Sequence, residues 1–170
     1  LAEATPGTRV LTPIWGMGDS WKSDKTDDVD SSPVHLWIVP ARVEGYWSWE
    51  LPIAGARHAY AGVLEQQFQK AEGVVRVANR RGVLEKMILR GTELQFTLGM
   101  TIGDAGFVTH TYSGKVQGNE IVGTVKLQRV INEQTVNTEL PWRASRTSQS
   151  TYFAPTGVSP SKPVETSRAK

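Results

Sequence analysis

No cysteine occurs among the 170 residues, which excludes a disulfide framework, a thiolate zinc site and a cysteine nucleophile together. Long apolar runs are missing too, and the N-terminus lacks a basic segment leading into an apolar one. Neither a transmembrane helix nor an intact signal peptide is visible, so the expectation is a soluble protein, cytoplasmic in preference, with no membrane partner. Charge of one sign is scarce: 19 basic residues against 17 acidic leave a net charge of +2. The densest basic pair, Arg80-Arg81, stands beside Gly82 where a turn is expected. It reads as a solvated turn, and no nucleic-acid partner is assigned.

Histidine is also sparse. His35, His58 and His110 are far apart and none has a two-ligand spacing, so no metal site is assigned. Asp24, Asp27, Asp28 and Asp30 cluster, but the stretch lacks the glycine and terminal glutamate of a calcium loop. No Gly-x-Ser-x-Gly elbow and no P-loop occur, and Gly16-Met17-Gly18 lacks the third glycine and following helix of a dinucleotide loop. No catalytic residue emerges from motif alone.

What is present is a 39% hydrophobic chain with 16 glycines and six tryptophans, enough for one globular core. Residues 1–7 read as a helix stub stopped by Pro6-Gly7, and residues 8–15 as a strand. Such an opening resembles the end of a domain whose start lies upstream. Residues 22–33 are polar and aperiodic and read as a loop. Residues 34–39 form a continuous apolar run with one histidine, His35, suited to a strand covered on both faces.

From Val43 the pattern alternates: Trp47, Trp49 and Leu51 share one face, Tyr46, Ser48 and Glu50 the other. Further strands are expected at 60–69, 74–78, 83–89, 94–100, 107–116 and 121–130. Turn chemistry separates them at 52–55, Gly73, 79–82, Gly91-Thr92, 103–106 and Gly118-Asn119. The expected fold is mainly β: an antiparallel meander forming a small barrel or sandwich over residues 42–144. Residues 145–170, rich in Ser, Thr, Pro and Lys, read as a flexible tail.

One ordered set of residues carries a family resemblance. Pro6 to Val10, Met17-Gly18-Asp19, Trp21 before a Lys/Asp loop, Leu36 to Ala41 and Gly45-Tyr46-Trp47 resemble the C-terminal part of bacterial class I S-adenosylmethionine-dependent methyltransferase-like proteins. The resemblance implies that residues 1–41 are a helix end and the last two strands of a truncated Rossmann-like sheet, followed by a supporting or substrate-recognising β domain. It also implies a missing N-terminal Rossmann-like half as partner, an unidentified methyl acceptor, and S-adenosylmethionine as cofactor of the parent protein. The family's glycine-rich loop and ribose-binding acid belong to that missing half, so no cofactor-binding residue carries over and the isolated chain is expected to be inactive. Met17, Gly18, Asp19 and Trp21 are the candidate substrate loop. The alternative is an independent small-ligand or glycan-binding β-barrel, resting on regular hairpins and abundant tryptophan. A third reading is a module whose exposed strand edge pairs with another copy as a homo-oligomer.

Overall fold

The computed structural model describes residues 4–13, 16–18 and 21–153. Alternation over the central hundred residues builds eight antiparallel strands: β4 (Gly45–Ile53), β5 (Ala56–Gln67), β6 (Lys70–Val77), β7 (Arg80–Arg90), β8 (Glu93–Thr101), β9 (Phe107–Gln117), β10 (Glu120–Ile131) and β11 (Gln134–Thr147). Each pairs with the next, and β11 returns to β4, so the meander closes as a barrel and not as a sandwich. Inward-facing Trp47, Trp49 and Leu51 are all buried, as the alternation requires, and they join Tyr60, Phe96, Tyr112, Trp142 and the aliphatic residues of every strand in one core. An eight-stranded barrel is just wide enough to be filled by side chains or to hold one small ligand.

A second, three-stranded sheet precedes the barrel: β1 (Arg9–Pro13), β2 (Lys25–Val29) and β3 (Ser32–Ile38), in the order β1-β3-β2 and all antiparallel. The loop expected at 22–33 is in fact the arm of a hairpin. All five β2 residues are exposed, so no alternation marks them, and the turn is made by Asp30 and Ser31 at positive φ without glycine. Strand β3 is buried only at its end, Trp37 and Ile38, and is not covered on both faces throughout.

Two glycines expected at turns lie inside strands. Gly73 is in β6 and Gly82 in β7, where an added Cβ would come within 2.6 Å of Leu64 and Leu98 respectively. Their role is close packing; the turns fall instead at Phe68 and Ala78, both at positive φ.

The barrel also takes residues that the sequence reading gives to a tail. Strand β11 runs to Thr147, and α1 (Gln149–Phe153) follows, with Tyr152 buried beside Tyr46 and its carbonyl accepting from Arg76 Nη1 at 3.1 Å. Residues 154–170 lie outside the described residues, as does the helix stub through Glu3. Among the described residues no helix is long and apolar enough to cross a membrane.

The small sheet docks on the barrel at two turns. Ala41 N–H donates to Gly91 O at 2.7 Å, and Trp21 stacks on Phe68 with centroids 5.1 Å apart. Gly91, at φ +57, lets Gly7 and Ile38 approach within 3.3 Å of the place where a Cβ would stand. The linker is pinned as well: Gln66 accepts from Val43 N–H and donates to Ala41 O.

Candidate ligand site at the barrel seam

Closure of the barrel is brief. Strands β11 and β4 pair only through Ser145 with Ser48, Arg146 with Trp47 and Thr147 with Tyr46. Continued in the same register, Pro141 would stand opposite Pro52. A proline cannot donate to a ladder and is tolerated on an edge, and these two are the only prolines in the eight barrel strands. Beyond the three closing pairs, residues 49–53 of β4 pair only with β5, and residues 134–144 of β11 only with β10. Two strand edges therefore diverge across one wall of the barrel.

A cleft of about 750 Å³ occupies that divergence, within the size range of small-ligand sites. Trp49, Tyr60 and Trp142 line it from the core side, and Ser48, Arg57 and Arg143 are among its outer residues. The aromatic side is fixed by mutual packing. Trp49 stacks on Tyr60 with centroids 5.5 Å apart, meets Trp142 edge-on at 5.9 Å, and donates its indole N–H to Tyr112 Oη at 3.2 Å.

Behind Tyr60 lies His110, fully buried on β9. Its Nδ1 is 3.0 Å from Leu98 O, a pure acceptor, so that nitrogen carries the proton and Nε2 accepts from Tyr60 Oη at 2.7 Å. Burial pushes the His110 pKa down to about 4 and the Tyr60 phenol above its ordinary value. Both are neutral at pH 7, far from the near-neutral pKa a general acid or base needs. Their hydrogen bond fixes the two rings relative to each other.

One polar atom of these core rings has no partner. Trp142 is 2% exposed, and its indole Nε1 has no hydrogen-bond partner. A buried donor without an acceptor costs roughly 1–3 kcal/mol. At the rim, Glu50 accepts from Arg57 through Nε at 3.1 Å and Nη2 at 3.0 Å, while Arg143 stands 3.9 Å from Glu120, beyond hydrogen-bond reach.

The loop residues singled out from the sequence lie elsewhere. Met17 packs on the core of the small sheet, with Trp21, Trp37 and Val39 buried there; Gly18 is exposed at φ +91; Asp19 lies outside the described residues. None of the described three lines the seam. Trp21 Nε1 and Gln69 Oε1 are also buried without partners. Among the acids of the expected loop, Asp24 accepts from Ile38 N–H at 2.7 Å and Asp27 pairs with Lys25 at 2.7 Å. Among the described residues no three metal-ligating side chains converge.

No family model, curated protein or solved structure matches the chain. The seam residues are thus read from their own geometry. Sequence reasoning missed the seam, although Pro52 and Pro141, set in barrel strands, are the signal that marks it.

Proposed function

We propose that this chain is a small-ligand-binding β-barrel and that the ligand sits in the seam between β4 and β11. The observation that carries this is the cleft of about 750 Å³ that stands where β4 and β11 cease to pair, a size suited to one small ligand. Ser48, Arg57 and Arg143 offer polar groups to such a ligand, and the packed side chains of Trp49, Tyr60 and Trp142 form the floor beneath it. The stacked, hydrogen-bonded rings behind the cleft would keep its shape fixed before binding, which lowers the ordering cost. Titrating the protein with lipids and sugars while following tryptophan fluorescence tests it. A saturable change that is lost when Ser48→Trp fills the cleft is expected; no saturable change with any compound contradicts it.

A second reading is favoured by one pairing. Residues 9–13 and 34–38 lie antiparallel, as the last two strands of the methyltransferase-like family would. Against it, β2 takes the edge of β3 across residues 32–36, where a further sheet strand would join. S-adenosylmethionine does not fit the described residues: all their strand pairings are antiparallel and their one α-helix has five residues, so among them there is no strand-loop-helix cradle for it. On this reading the cofactor belongs to the absent half, and the barrel supports it or recognises its substrate. Calorimetry with S-adenosylmethionine should give no binding heat; micromolar binding by residues 1–170 alone contradicts that assignment.

A further inference from the structure

We infer that the free edge of β11 pairs antiparallel with the same edge of a second copy of the chain. Main-chain direction decides which groups are free. Arg146 N–H donates to Asn119 O on the β10 side at 2.8 Å, and successive residues of a strand turn their N–H and C=O to opposite sides. The β10–β11 register is unbroken, so even-numbered residues of β11 bond to β10, while Thr135, Asn137 and Glu139 turn their backbone groups outward. Strand β4 ends at Ile53, opposite Leu140 in the closing register, and residues 134–139 lie past that end. Strand β9 pairs with β10 only as far as Gln128, so residues 129–131 and 134–136 form a two-stranded tip on which Val130, Ile131 and Val136 are exposed. Such a ribbon is marginal in water and gains from a third strand.

Side chains along the edge select the occupant. The edges of β1, β2 and β4 are blunted: β1 carries Arg9 and Pro13, β2 carries Lys25, Asp27 and Asp28, and β4 past the closure carries Glu50 and Pro52. Residues 134–140 hold no lysine, arginine, proline or glycine, and their one charge, Glu139, stands opposite Lys126 on β10. Two-fold antiparallel pairing must set outward residues against outward residues, which leaves few possible centres. A centre at Glu139 would bring two carboxylates face to face, and one at Asn137 would set Leu140 against Gln134. A centre at Thr138 sets Val136 against the partner's Leu140 on both sides of the axis and Thr138 against its own copy, all favourable pairs. Asn137 and Glu139 then exchange backbone bonds across the axis, and Thr135 N–H donates to Pro141 O of the other copy.

Sedimentation of the full chain from about 1 to 300 µM should show a reversible dimer with Kd on the order of 10 µM, as a small interface allows. Asn137→Pro removes an outward donor and leaves the β10 ladder intact, and Thr138→Lys opposes two ammonium groups at the axis; each should weaken the dimer at least about tenfold. Loss in Thr138→Lys should be relieved by salt. The chain has no cysteine of its own, so Thr138→Cys should form a disulfide-linked dimer under mild oxidation, faster than Glu139→Cys, whose copy is two positions out of register. A monomer at every concentration overturns the pairing, including one that captures some other extended peptide on this edge. A dimer untouched by both Asn137→Pro and Thr138→Lys overturns the choice of edge, and faster cross-linking at position 139 than at 138 overturns the register.

Discussion

At the scale of single residues, His110 carries the most readable consequence. Its folded pKa, about 4, lies below the unfolded value near 6.5. Between those values the unfolded chain binds a proton that the folded one does not, so stability rises with pH across that window and is lost as pH falls. Taking pH 7 to pH 5 costs roughly 2 kcal/mol through this residue. Urea denaturation at both values should show that loss in the parent protein and a smaller one in His110→Gln. An unchanged difference contradicts the assignment of a neutral, buried imidazole. Gly123 makes a steric prediction. It stands opposite Gly114 on one side and Trp142 on the other, and an added Cβ would fall 1.9 Å from Ser113 O. Gly123→Ala should cost more than about 3 kcal/mol, because the obstacle is backbone and cannot rotate away. Gly118→Ala, at φ +62 in an open turn, should cost about 1 kcal/mol. A thermal scan of both variants separates steric overlap from turn strain.

At the scale of elements, the seam is where local chemistry decides architecture. Arg146 clasps the short closure: it lies over the Trp47 ring at 4.4 Å, donates to Glu44 O, to Arg42 O at 2.8 Å and to Asn119 Oδ1 at 3.1 Å. Lysine cannot span three separated acceptors with one ammonium. Arg146→Lys should therefore cost about 2 kcal/mol by denaturation, and hydrogen exchange at the amides of residues 46–48 should speed up. The opposite manipulation closes the cleft. Replacing both Pro52 and Pro141 by threonine restores two donors, so amides at 49–53 and 140–144 should gain exchange protection while ligand binding is lost. Persistent fast exchange there would show that the prolines do not hold the edges apart.

Legibility in the sequence follows the same element-level physics. Strand β4 was readable because one face is buried and the other is not, and the turns at Gly91 and Gly118 because glycine stands where φ is positive. Strands β2 and β11 were missed for a shared reason. Residues 25–29 and 134–139 are exposed on both faces, and their hairpins turn on Asp30-Ser31 and Asn132-Glu133 without glycine. Missing β11 also hid the site, since the cleft exists only where β11 fails to pair with β4. The Tyr60–His110 bond joins residues fifty apart in the chain, and no local pattern announces such a contact.

At the scale of the whole molecule, a filled aromatic core and an interrupted wall divide the work. The core fixes ring positions through stacking and buried hydrogen bonds, and the wall opens where two prolines deny it a ladder. The small sheet adds a second core of Trp21, Trp37 and Val39, which supplies an internal reference. The decisive measurement is a titration of fragments followed through the indole N–H resonances of the tryptophans. Saturable shifts at Trp142 and Trp49, with Trp21 and Trp37 unmoved, are expected if the seam binds ligand. Shifts confined to Trp21 and Trp37, or none at Trp142 at saturating fragment, contradict it.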